Sequence, residues 1–170
     1  TFIKQVNETT FQGYRFSKGW AADQREYFTL VLSKPVTNFV LYDRNDKVEG
    51  TQAKGNYMKG FLEFETTENE VIHVKMGVSP VSSENALANI EAEIPHWNFD
   101  KIVKDADDKW NNELSKIKIE TTDLSKKRIF YTAMYHTMIA PNLFNDSNGQ
   151  YRGTDKKVYE NQGFTNYTLF

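Results

Sequence analysis

The segment Gly13-Tyr14-Arg15-Phe16-Ser17-Lys18-Gly19-Trp20-Ala21 gathers two glycines, three rings and cationic side chains within nine residues. Rings of this kind stack on the apolar face of a sugar while neighbouring polar groups bond its hydroxyls, a mixture that binding sites share. The same residues equally suit a strand ending in a Trp-anchored corner, and composition alone does not separate the two. Asp146-x-Asn148-Gly149 resembles the opening of a calcium loop, because hard cations take oxygen ligands on a turn. The required spacing and the downstream Glu are missing, so a structural turn is expected there. His73, His96 and His136 share no ligand spacing such as i, i+4, and His136 near Tyr131 and Tyr135 reads as a core histidine. No Gly-x-Ser-x-Gly elbow and no Gly-x-x-x-x-Gly-Lys phosphate loop is present. The Asp105, Asp107 and Asp108 cluster reads as a solvated charge face, and no poised acid–base pair stands out. The residues therefore assign no catalytic group and no metal ligand to this chain.

Elements that would position these residues fall into two halves. Residues 1 to about 80 read as strands: Arg25 to Leu32, Val36 to Tyr42, Tyr57 to Phe64 and Val71 to Val78, the last placing His73 mid-strand. Asp43-Arg44-Asn45-Asp46 and Thr66-Thr67-Glu68-Asn69 are turn chemistry between them. Short strands at this spacing predict antiparallel sheets, most simply a sandwich. Gly50, Gly55 and Gly60 recur every five residues and read as turns or bulges. Residues 83–94 then carry Leu87, Ile90 and Ile94 at helical spacing, with Ser83 as N-cap and Pro95 as breaker. From Phe99, capped by Asn98, the stripe Ile102, Val103, Ala106, Trp110, Leu114 and Ile117 predicts a long amphipathic helix with one buried face. A third helix is expected after Thr122 or Asp123, ending before Pro141, apolar enough all round to be buried on most sides. The tail from Asn142 reads as irregular, with Phe144, Tyr151, Tyr159, Phe164, Tyr167 and Phe170 too aromatic for a solvated linker.

Composition narrows the classes. Lys and Arg number 21 against 23 Asp and Glu in 170 residues, a formal net charge of −2, which argues against nucleic acid as a partner. Apolar residues make up 39% and aromatic ones 14%, so rings must supply much of the core. No stretch approaches the roughly 18 apolar residues of a membrane span. The chain has no Cys, which excludes disulfides, zinc–thiolate sites and thiol catalysis. It opens on Thr1 without a signal segment and stops within Tyr167-Thr168-Leu169-Phe170, and an excised piece of a larger protein is expected.

Several strings together resemble a known family. They are Gly13-Tyr14-Arg15-x-Ser17-x-Gly19-Trp20-Ala21 with Tyr27-Phe28, Lys59-Gly60-Phe61-Leu62-x-Phe64 and Val74-Lys75-Met76-Gly77-Val78-Ser79. The most specific are Ala92-Glu93-Ile94-Pro95-x-Trp97-x-Phe99-Asp100, Phe130-Tyr131-Thr132-Ala133-Met134-Tyr135-His136 and Asp146-x-Asn148-Gly149-x-Tyr151-Arg152-Gly153. Their order and spacing resemble the family-92 glycoside hydrolases, calcium-dependent exo-acting α-mannosidases, over nearly the whole chain.

The resemblance implies an α+β chain: an antiparallel β-sandwich portion over residues 1–82, linker helices over 83–121, and the first helix of an (α/α)6 barrel within 122–170. It implies a parent enzyme that releases terminal mannose from α-mannosides by inversion, exported to a bacterial periplasm or secreted. The catalytic carboxylates and the Ca2+ ligands of the family are expected downstream of Phe170, so the chain alone is expected to bind no calcium and to be inactive. Tyr14 is implied to contact substrate, with Arg15 and Trp20 shaping the same rim. His136 and the Asp146–Arg152 loop are expected to hold the first barrel helix in place. Uncovered sheet edges predict self-association of the piece. A stand-alone carbohydrate-binding sandwich without catalysis is the rival reading.

Overall fold

The structure is a computed structural model that describes residues 1–161, 163 and 165–168. Alternation and β-branched or aromatic content set the first elements, β1 (Phe2–Gln5), β2 (Thr10–Ser17), β3 (Gln24–Leu32), β4 (Asn38–Asp43), β5 (Asp46–Val48), β6 (Gln52–Lys54), β7 (Met58–Glu63) and β8 (Val74–Ser79). Three helices follow, α1 (Ser83–Glu93), α2 (Phe99–Leu114) and α3 (Leu124–Thr137), then β9 (Gln150–Arg152) and β10 (Val158–Glu160). The expected antiparallel sheets are present. One has the order β6-β1-β2-β3-β8, another β5-β4-β7, and β9 pairs with β10. The β9–β10 hairpin replaces the irregular tail that turn-rich composition suggested. Phe164 and Phe170 of the expected aromatic tail lie outside the described residues.

The chain divides into two compact units, Thr1–Trp97 with Asn145–Gln162, and Asn98–Phe144 with Gly163–Phe170. The span 83–121 is thus shared out: α1 packs with the sheets, whereas α2 lies in the second unit.

In the first unit the inner faces of the two larger sheets meet. Phe11 and Leu32 of the five-stranded sheet and Val36 are buried, with Leu30, Phe39, Leu62 and Phe64 packed against them. Phe11 and Phe39 touch across the layers with ring centroids 5.0 Å apart. Burying such side chains stabilises by about 1.5–3 kcal/mol each. Gly60 is neither turn nor bulge; it lies inside β7 opposite Leu41, under the Phe39 ring. Strand β8 starts later than predicted, so His73 precedes it and its backbone N–H donates to Ser33 Oγ at 2.9 Å.

Helix α1 covers the other face of the five-stranded sheet. Its N-cap is Ser82 rather than Ser83, and the Ser82 hydroxyl accepts from Asn85 N–H. Ser83 faces inward instead: its hydroxyl donates to Gly13 O at 3.1 Å, and its carbonyl accepts from Thr29 Oγ1 at 2.6 Å. Gly77 permits this close approach, because a Cβ there would run into the Ala86 carbonyl of α1. The helix has no basic residue in its last turn. Lys75 of β8 supplies the charge, donating to Ile94 O at 2.8 Å with its ammonium 4.1 Å from the Trp97 ring centroid.

In the second unit, Asn98 and Asp123 cap α2 and α3 as expected. The two helices meet through Trp110 and Tyr135, centroids 4.7 Å apart, and Tyr131 Oη donates to Ile117 O at 3.1 Å. The stripe of α2 is not buried: Phe99 is 62% and Val103 48% exposed. Helix α3 likewise has no buried residue, with Leu124 at 76% and Ile129 at 65%. His136 is exposed, not a core histidine. The periodicity was sufficient to form both helices, but these apolar surfaces find no matching layer among the described residues.

Candidate functional site

Two clusters lie on the α1 side of the five-stranded sheet. The first is built by the β2–β3 register, which sets Tyr14 opposite Tyr27 and Phe16 opposite Arg25, while β1 sets Phe2 opposite Tyr14. These rings share one face. Phe2 and Phe16 stack on Tyr14 with centroids 5.3 and 4.4 Å away, and Tyr27 meets it edge-on at 5.8 Å. The Arg25 guanidinium sits 5.1 Å over the Phe16 ring. Arg25 also donates to Asp23 at 3.2 Å, and Lys156 stands 3.6 Å from the same carboxylate. The hydrogen bond from Arg25 holds the Asp23 carboxyl below the ordinary carboxylate range.

The structure therefore separates the three residues singled out in the sequence. Tyr14 is half-buried with its ring occupied, so its hydroxyl is the part it can offer a ligand. Arg15 is exposed and, by the pleat of β2, projects from the opposite face. Trp20 is 100% exposed in the β2–β3 connection, not anchored in a corner.

Sequence reasoning missed the second cluster. Asp146 is 3% exposed, and its carboxylate accepts from Ser79 Oγ at 2.6 Å, Asn85 Nδ2 at 2.8 Å and Asn89 Nδ2 at 2.8 Å. Asn148 donates to Asn85 Oδ1 at 3.2 Å, and Ser147 N–H to Asn89 Oδ1 at 2.8 Å. Gly149 adopts φ +83° to close the turn, its N–H donating to Asp146 O at 2.9 Å. Arg152 reaches back to Pro80 O at 2.8 Å and to Lys156 O at 2.8 Å. The Asp146–Arg152 loop thus clamps α1 and its entry to β8; the helix it holds is α1, not α3. The Asp-x-Asn-Gly string was the available signal, but its partners Ser79, Asn85 and Asn89 lie more than fifty residues away in sequence.

The donor set also tests the calcium implied by the resemblance. Asp146 accepts three side-chain hydrogen bonds, two on Oδ2 and one on Oδ1, so its carboxylate serves the turn and α1. No group of three His, Cys, Asp or Glu among the described residues is placed to hold a metal. His96, half-buried, has an Nδ1 without a hydrogen-bond partner, and neither it nor His73 joins an acidic cluster. No helix among the described residues is long and apolar enough to cross a membrane.

Known proteins match this architecture. The glycosyl hydrolase family 92 N-terminal domain model matches residues 1–79, and the family 92 catalytic domain model matches residues 85–170. The chain belongs to glycosyl hydrolase family 92. Its fold is similar to that of the family GH92 alpha-mannosidase BT3965 from Bacteroides thetaiotaomicron, with TM-score 0.93 and 32% identity over 98% of this chain and 23% of that one. That mannosidase has also been solved in complex with mannoimidazole. The inverting mannosidase BT2199 from the same species shares the fold, with TM-score 0.86 and 23% identity over 99% of this chain and 24% of that one. A protein of Arthroderma benhamiae named an uncharacterized secreted glycosidase is 31% identical over 94 residues, 52% of this chain and 12% of that protein. The family 92 chain described here thus spans under a quarter of the length of these relatives.

Proposed function

We propose that this chain is the sheet-and-helix support of a glycoside hydrolase that releases terminal mannose from α-mannosides with inversion at the anomeric carbon. The fold shared with an alpha-mannosidase along 98% of the chain is the observation that supports it. In an inverting reaction one carboxylic acid protonates the leaving oxygen while a carboxylate base activates water on the opposite face. Both carboxylates, and any Ca2+, belong on this reading to the rest of the parent protein. This chain contributes position on this reading: the Asp146 clamp fixes α1, and the β2–β3 hairpin presents the Tyr14 hydroxyl, with Trp20 in the connection beyond it. The parent is secreted or periplasmic on the same reading, which the secreted relative supports.

The test is to follow hydrolysis of an α-mannoside by the parent protein with proton NMR. Inversion gives β-mannose as the first-formed anomer, before mutarotation. First appearance of the α-anomer, or no release of mannose, would refute the proposal.

A further inference from the structure

Resting on that reading, we infer that Ser83 is a positioning residue, which sets the Tyr14 hydroxyl for an α-mannoside through the carbonyl of Gly13. Gly13 lies inside β2, directly before Tyr14. A Cβ there would run into the Phe2 carbonyl of β1 and into the Phe28 ring, so the strand needs glycine at this point. Glycine inside a strand also loosens it, here at the peptide that leads into Tyr14. Phe2 and Phe16 stack on the Tyr14 ring, but apolar contact is non-directional. It holds the tilt of the ring better than its height. The height of the hydroxyl is inherited from the Gly13–Tyr14 peptide.

Ser83 supplies a directional bond at that peptide. It opens α1, is nearly buried, and donates from its hydroxyl to Gly13 O at 3.1 Å. The helix does not need this hydroxyl, because Ser82 is the N-cap. Alanine would fill most of the same space, so what the hydroxyl adds is the bond to β2. The residue is itself well fixed. Its carbonyl accepts from the buried Thr29 Oγ1 at 2.6 Å, and the Asp146 carboxylate holds Asn85 and Asn89 of the same helix. Two neighbouring bonds of Ser83 therefore act differently. The one from Thr29 fastens α1 to β3, whereas the one to Gly13 touches the peptide that carries the Tyr14 ring. A supporting bond of this kind keeps a binding group from drifting out of register.

The experiment measures kcat/KM on α-linked mannobiose and the unfolding midpoint for the parent enzyme and for S83A, Y14F, their double variant and T29V. We expect S83A to lower kcat/KM about three- to tenfold, the worth of one hydrogen bond. In the Y14F background no hydroxyl is left to place, and the same change should cost under about twofold. T29V breaks the neighbouring bond but not the one to Gly13; it should lower the midpoint and keep kcat/KM within about twofold. An unchanged kcat/KM in S83A, an S83A loss equal in both backgrounds, or a T29V loss as large as that of S83A would overturn the role of Ser83 and leave the family reading standing. Should S83A fail to fold, S83C keeps the bulk with a weak donor and carries the same comparison. An unaltered kcat/KM in Y14F would refute the Tyr14 contact on which the role rests. No action of the unaltered enzyme on α-mannosides would refute the family reading and the role together.

Discussion

Replacing Asp146 with alanine removes an acceptor from three buried or half-buried donors at once. Hydrogen bonds to charged groups contribute about 1.5–3 kcal/mol each, so three amount to about 5–9 kcal/mol before compensation. Two of the donors keep a second acceptor: Asn85 Nδ2 retains Gln150 Oε1 at 3.0 Å, and Asn89 Nδ2 retains Val78 O at 3.0 Å. Relief of burying the carboxylate offsets a further part. The expected net loss for D146A is therefore about 2–4 kcal/mol, and D146N, which keeps one acceptor and the volume, should lose about half of that. Urea denaturation followed by circular dichroism measures it as a lower midpoint at constant slope. A double-mutant cycle with N89A should return a coupling of at least about 0.5 kcal/mol, because the two side chains share a bond. A D146A loss under about 0.5 kcal/mol, or no coupling to Asn89, would refute the clamp.

G77A should destabilise by about 2–4 kcal/mol, since the new methyl meets the α1 backbone at the Ala86 carbonyl, and the same denaturation assay reads it. Glu70 accepts from Lys34 and from Thr67 N–H, which hold its carboxyl below the ordinary value of a free glutamate. Its contribution is therefore present above that value and lost as pH falls through the lower folded value, and a carboxyl-carbon NMR titration should place its midpoint below that of free glutamate. Tyr159 donates to Asp155 at 2.7 Å, which raises the phenol above 10.0, so this bond persists below that pH and is lost as pH climbs through the higher folded value, seen as late phenolate absorbance. The exposed Val74, Met76 and Val78 ladder on edge strand β8 should make the isolated chain associate, and M76K should lower the mass read by light scattering at high concentration. A monomer for both proteins would contradict that.

What the sequence disclosed was local. The stripe from Phe99 and the caps Asn98 and Asp123 carry their signal within a few residues, so α2 and α3 were legible. The hydrophobic runs of β3, β4 and β7 were legible for the same reason. Strands β1, β5 and β6 are three or four residues long, too short for periodicity to speak, and exist because their neighbours pair with them. Burial was legible only where a covering layer lies in the chain. The α2 and α3 stripes have the right period and remain open. The return of residues 145–162 to the sheets depends on bonds from Asp146 and Arg152 to positions far away in sequence, which composition cannot reveal. At the candidate site, Tyr14 and Trp20 were visible as rings, but only the strand register brings Phe2, Phe16 and Tyr27 onto Tyr14, and only the fold shows Trp20 wholly exposed among the described residues.

The central claim is that this chain supports a mannosidase site whose reacting carboxylates lie on other residues of the parent. The most direct measurement is mannose release from an α-mannoside by the purified 170-residue chain and by the parent protein, side by side. The account predicts release by the parent and none by the chain. Release by the chain alone, or none by the parent, would contradict it.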